Sequence, residues 1–155
     1  MKITIHTDGA ASGNPGPGGY GAVLESGKHR KEIWGGYRMT TNNRMELLAV
    51  IAALEALKSP GMDVTVVSDS KYVVDAVEKG WLFGWEKKGF AKMKNPDLWR
   101  RFLPAYRKHK VKFQWIRGHS GHPLNELCDQ LAVAARNQSV LAVDEGYEAQ
   151  PSTLL

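Results

Sequence analysis

The hydrophobic period switches along this chain in an order that few architectures accommodate. It begins at period two: Ile3, Ile5 and Thr7 alternate with Lys2, Thr4 and His6, the pattern of a half-buried strand, and Asp8-Gly9 reads as its stop. Residues 9 to 21 hold six glycines and two prolines and read as a loop. Tyr20 to Leu24 and Glu32 to Tyr37 read as two further strands with a turn at Gly27-Lys28. The period becomes helical over Asn43 to Lys58, returns to a β-branched strand at Asp63 to Ser68, and is helical again over Ser70 to Lys79, where Gly80 stops it. After an aromatic and basic stretch, Pro96 to Lys108 reads as a helix with proline in its first turn, Val111 to Arg117 as a fifth strand and Pro123 to Arg136 as a last helix. Three strands, helix, strand, helices, strand, helix is the order of an α/β domain, with a five-stranded mixed sheet flanked by helices on both faces. Residues 137 to 155 lose periodicity and are expected to form a loosely held tail outside a domain of residues 1 to 136.

A chain of 155 residues suits one domain. Its single cysteine, Cys128, rules out an internal disulfide and reads as a small apolar residue on a buried helix face. The first residues run directly into a strand, with no charged leader, apolar signal core or long hydrophobic span, so a soluble cytoplasmic protein is expected. Net charge is +5, but Lys79 to Lys110 contains ten Lys and Arg against two acids, Glu86 and Asp97. The rest of the chain is mildly acidic, a distribution that suits one face meeting a polyanion and another holding carboxylates.

Four acids stand out. Asp8 and Asp69 fall where strands end, the place at which open α/β sheets gather ligands. Each has an ordinary alternative: Asp-Gly forms turns, and Asp69 could cap the helix that follows it. Glu46 could close a capping box with Asn43, yet it shares a helical stripe with Val50, Ala53 and Leu57, and an acid on an inward stripe must be paired or bind a metal. Asp129 lies off the apolar stripe of the last helix, on the side of Asn125, and by itself reads as solvated. Together the four would make an oxygen-rich site suited to Mg²⁺ or Mn²⁺, and no Cys/His cluster suggests zinc.

The segments that hold these acids are Thr7-Asp8-Gly9 leading into Gly13 to Gly21, Thr40 to Glu46, Ser68-Asp69-Ser70, and Gly118 to Pro123 with Asn125-Glu126 and Cys128-Asp129. In that order and spacing they resemble type 1 ribonuclease H, the bacterial form, over nearly the whole chain. The resemblance implies the ribonuclease H-like fold, with residues 1 to 136 as the catalytic domain. It also implies an endonuclease that hydrolyses the RNA strand of RNA–DNA hybrids with two Mg²⁺ ions, Mn²⁺ being an alternative, and leaves 3′-hydroxyl and 5′-phosphate ends. Asp8, Glu46, Asp69 and Asp129 fall on the family's metal-binding acids, and His119 on its mobile-loop histidine, flanked by Gly118 and Gly121. His122, just before Pro123, reads as a cap of the last helix.

The resemblance places Asn14, Asn42 and Asn43 against the hybrid's two backbones, which must be told apart by their 2′-hydroxyls. The glycine-rich segment lacks Gly-Lys-Ser/Thr and opens into no helix, which argues against a nucleotide-phosphate loop. Trp81, Trp85 and Phe90 with Lys87, Lys88, Lys92 and Lys94 resemble the family's basic handle for the DNA strand, although Glu86 interrupts it and the stretch between Phe90 and Asp97 is shorter than in the better-known bacterial pattern. Glu86 is expected to weaken that grip. Trp99 and Phe102 read as packing between helices. A monomer acting on hybrid duplex, with no membrane partner, is the expectation; a hybrid-binding module without cleavage and a DNA nuclease are the competing readings.

Overall fold

The structure is a computed structural model, and it describes residues 2–150. Strands β1 (Lys2–Ala11), β2 (Gly16–Ser26) and β3 (His29–Thr40) form an antiparallel meander, and β4 (Asp63–Ser68) and β5 (Lys110–Trp115) join it in parallel to give the order β3-β2-β1-β4-β5. Between and after the strands run α1 (Asn42–Glu55), α2 (Lys71–Glu78), α3 (Trp81–Lys87), α4 (Pro96–Arg107), α5 (Pro123–Arg136) and α6 (Glu145–Glu148). This is the expected five-stranded mixed sheet. No helix among the described residues is long and apolar enough to cross a membrane.

Successive strand residues point to opposite faces, and β2 shows which helix owns which. A side chain at Gly18 would run into Thr40, the last residue of β3, and Met45 in the first turn of α1; one at Gly19 would run into the Ala132 carbonyl of α5. The larger core lies on the α1 face, where Ile3, Ile5, Val64 and Val66 meet Leu47, Val50, Ile51 and Leu54 and continue to Trp99 and Phe102 of α4. Trp99 and Phe102 are fully buried, as expected of aromatics between helices. On the other face Val23 is buried with Cys128, Ala132 and Ala135.

Three elements differ from the sequence expectation. The loop expected over residues 9 to 21 is mostly strand: β1 runs on to Ala11, β2 begins at Gly16, and Gly9, Gly18, Gly19 and Gly21 all sit in paired register. The glycines are there because α1 and α5 lie against the sheet at backbone distance, so a residue composition typical of loops serves close packing. Residues 81–87 form a helix, entered from a left-handed Gly80 and lacking a side-chain cap, which leaves little local signal. Part of the expected loose tail is held. Gly36 O accepts from Ala142 N and Ala142 O from Arg38 N, at 3.0 and 2.9 Å, and Asp144 is buried. Residues 151–155 of that tail lie outside the described residues.

Candidate active site

The register places the acids. Thr7 of β1 pairs with Ser68 of the parallel β4, so Asp8 and Asp69, each the next residue along, emerge side by side. Asp8 thus lies inside β1, not at its end as expected, whereas Asp69 does follow the last residue of β4. The capping alternatives are resolved by other residues. Ser70 Oγ accepts from Val73 N at 3.3 Å and caps α2, and Thr41 Oγ1 accepts from Arg44 N at 3.3 Å and caps α1. That leaves Asp69 and Glu46 free to face the cleft.

Glu46 reaches Asp8 because Gly9 has no side chain: a Cβ there would sit 2.5 Å from the Met45 carbonyl carbon. The Gly9 N–H donates to both Asp8 Oδ1 at 2.9 Å and Glu46 Oε1 at 2.5 Å. One carboxylate oxygen from each of Asp8, Glu46 and Asp69 lies within 4.8 Å of the others. Asp129 on α5 stands outside that triad but lines the same cleft of about 390 Å³, together with Asn42, Gly118 and His119. Asn125, one helical turn before Asp129 and buried, donates its amide to Asp69 Oδ2 at 3.4 Å.

Burial raises the Asp8 carboxyl to about 7, opposed by its hydrogen bond with Glu46 and reinforced by repulsion from Asp69 and Asp129. Burial, then repulsion from Asp8, holds Glu46 well above the ordinary carboxylate range. Carboxyls that resist ionisation when bare, offering only hard oxygen donors to a common point, fit a divalent cation of the Mg²⁺ or Mn²⁺ kind.

The remaining predicted residues divide into groups. His119 is exposed at the cleft mouth, with a left-handed backbone (φ 54°). His122 holds the N-cap position of α5 by its backbone, without the side-chain cap bond. Asn42 N donates to Asn14 Oδ1 at 3.0 Å, Ala11 N donates to Asn42 Oδ1 at 3.3 Å, and Asn14 and Asn43 line a neighbouring groove of about 660 Å³ that also includes Lys94. In the handle, Lys87, Lys88, Lys92, Lys94 and Trp81 are exposed, with Lys79 Nζ 5.1 Å over the Trp81 ring. Trp85 and Phe90 are not freely offered to substrate: Trp85 is half-buried with its ring edge-on to Trp99 at 5.8 Å, and Phe90 is buried. The i, i+3 spacing of Leu82 and Trp85 turns both toward the core, and Phe90 joins it from the turn after α3. Glu86 forms a two-bond pair with Arg107, at 2.7 and 2.8 Å, so its charge is balanced locally.

Two features escaped the sequence reading. Asn125 was visible only as a neighbour of Asp129, since a single buried amide has no spacing signature. Arg44 lies off the stripe shared by Glu46, Val50, Ala53 and Leu57, where a charged side chain would ordinarily be solvated, yet it is fully buried, bound by Asp97 and Asp144. Its partners lie 53 and 100 residues away, a separation that no local pattern encodes.

Comparison with known proteins agrees with this geometry. The family model described as RNase H matches residues 1–137. The chain is 55% identical over 148 residues to a ribonuclease H of Desulforamulus reducens, covering 92% of each chain, and 53% identical over 152 residues to one of Trichodesmium erythraeum, covering 95% of this chain and 96% of the other. Among solved structures it resembles LC9-RNase H1, a type 1 RNase H with the type 2 active-site motif (TM-score 0.79, 33% identity, 96% of this chain and 79% of that one). It also resembles LC11-RNase H1 in complex with an RNA/DNA hybrid (TM-score 0.61, 27% identity, 94% and 99%). The match over the body of the chain, together with the clustered acids, shows that the chain belongs to the ribonuclease H family, in its type 1 form.

Proposed function

We propose that this chain is an endonuclease that hydrolyses the RNA strand of RNA–DNA hybrids by two-metal-ion catalysis and leaves 3′-hydroxyl and 5′-phosphate ends. The observation that carries the reading is the convergence of Asp8, Glu46 and Asp69 within 4.8 Å in a cleft that Asp129 also lines. These four would hold two Mg²⁺ ions, or Mn²⁺. When bound, such ions supply Lewis acidity toward the phosphodiester and make water a better nucleophile at neutral pH.

The chain's own groups supply orientation and selectivity. The Gly9 N–H fixes Asp8 and Glu46, and the Asn125 amide fixes Asp69, so their oxygens need little rearrangement on binding. His119, exposed at the cleft mouth, would take a proton from the reacting end or pass one to it. Asn14, Asn42 and Asn43 offer amide groups suited to reading 2′-hydroxyls and backbone in the minor groove. Trp81, Lys87, Lys88 and Lys94 present aromatic and cationic surface to the DNA strand, with Trp85 supporting it from behind. The hybrid held by LC11-RNase H1 supports hybrid duplex as the partner. A monomer in the cytoplasm is part of this reading, consistent with a buried, unpaired Cys128.

A substrate panel tests it. With Mg²⁺, end-labelled hybrid should lose its RNA strand while duplex DNA, duplex RNA and single-stranded RNA survive, and the 3′ ends of the products should accept ligation to a 5′-phosphorylated oligonucleotide. Binding without cutting would leave a hybrid-binding module; cutting of duplex DNA would leave a general nuclease.

A further inference from the structure

The groove of about 660 Å³ beside the acid cleft is built from three distant parts of the chain. Asn14 and Asn43 come from the sheet turn and the start of α1, Lys94 and Arg100 from the entry and first turns of α4, and Tyr147 and Gln150 from the C-terminal segment. It adjoins the acid cleft through the Asn42–Asn14 hydrogen bond, since Asn42 lines one and Asn14 the other. Its polar lining is amide, hydroxyl and cationic; the carboxylate it contains, Asp97, is already bound by the Arg44 guanidinium at 2.7 and 2.9 Å. Such a surface suits a phosphodiester backbone.

The C-terminal wall is fastened with unusual care for a four-residue helix at the edge of the molecule. Buried Arg44 donates to Asp144 through Nε and Nη2 at 2.8 and 2.9 Å, and Thr40 Oγ1 donates to Asp144 Oδ2 at 2.6 Å. Asp144 also accepts from Tyr147 N at 3.3 Å and so caps α6, while Arg38 pairs with Glu148 at 2.9 Å. Gly146 has no room for a side chain beside Asp97 and Arg44, so α6 closes directly on the pair. A buried ion network is weak evidence for stability, and what it does supply is a fixed arrangement. Here the arrangement ties the C-terminal segment to the helix that presents both Asn43 and Glu46.

We infer that residues 144–150 form a wall of the nucleic-acid groove, that Tyr147 and Gln150 contact the hybrid's backbone away from the cut, and that Asp144, acting through Arg44 and Thr40, is a positioning residue for that wall. The inference rests on the hybrid-hydrolase reading above and adds substrate contacts from the segment beyond the family match. The test uses the full chain and a fluorescent hybrid, with binding measured in EDTA across a salt series and cleavage kinetics measured in Mg²⁺. Gln150→Lys should tighten binding and steepen the slope of log K against log salt by about 0.9, the value of one added phosphate contact. Gln150→Glu should weaken binding. Asp144→Asn and Tyr147→Ala should raise KM about three- to tenfold, more than they change kcat, in samples whose circular dichroism matches the parent's. If both Gln150 variants keep the parent's Kd and salt slope while the parent binds and cuts hybrid, the wall assignment is overturned alone. If the parent neither binds nor cuts hybrid, the hydrolase reading falls, and this inference with it.

Discussion

Asp8 and Glu46 both accept from the Gly9 N–H while buried beside Asp69, so in the absence of a cation the carboxyls repel one another across a poorly solvated cleft. The folded protein keeps a proton on Asp8 up to about pH 7 that the unfolded chain loses near 3.8. Asp8 therefore favours the folded state most strongly below pH 3.8, and that contribution is lost as pH rises through about 7. Asp8→Asn removes the charge and keeps the shape, so at pH 8 in EDTA it should raise Tm by a few degrees, at about 2–4 °C per kcal/mol, with the gain shrinking as pH falls below 7. Thermal melts of parent and variant at pH 5.5 and pH 8 check this; a variant that melts below the parent at pH 8 would contradict it. Much of the site was legible at this scale, because each acid lies in a short segment whose neighbours constrain it. What the sequence did not reveal was the support: Ser70 and Thr41 taking over the capping roles, and Asn125 holding Asp69.

At the scale of elements, β4 and α5 have the bounds expected from β-branched runs and from Pro123 with its apolar stripe, since each signal is local. The β1–β2 hairpin was misread because glycine is used there for a long-range reason. Gly19 leaves space for the backbone of α5, and glycines read without their partner helix look like a loop. Gly19→Ala is expected to destabilise by about 1–3 kcal/mol through overpacking against Ala132 and Arg136, with no change in the residues that line the acid cleft. Urea unfolding measures it, and an unchanged midpoint would mean that the helix can shift outward at no cost. The helices α3 and α6 were illegible altogether, for the opposite reason. Both helices are short, and their positions depend on contacts made elsewhere: Trp85 on Trp99, and Asp144 on Arg44.

Over the whole molecule the charges are segregated, with acids converging in one cleft and exposed lysines on the segment from Lys87 to Lys94. With those lysines proposed to contact the backbone, hybrid binding should weaken steeply with salt. Replacing Lys87 and Lys88 together by alanine should lower the slope of log K against log salt by about 1–2. A slope equal to the parent's would remove the handle from the interface. The pairing of Glu86 with Arg107 makes the interruption of that basic run smaller than the sequence suggests, because the carboxylate brings its own counter-charge. Asp8, Glu46, Asp69 and Asp129 are proposed to form a metal-dependent hydrolytic centre for the RNA of a hybrid. Following an end-labelled RNA–DNA hybrid with the parent and with Asp8→Asn, each in Mg²⁺ and in EDTA, decides it. Loss of the RNA strand is expected only for the parent in Mg²⁺; cleavage that persists in EDTA or in Asp8→Asn would overturn the assignment.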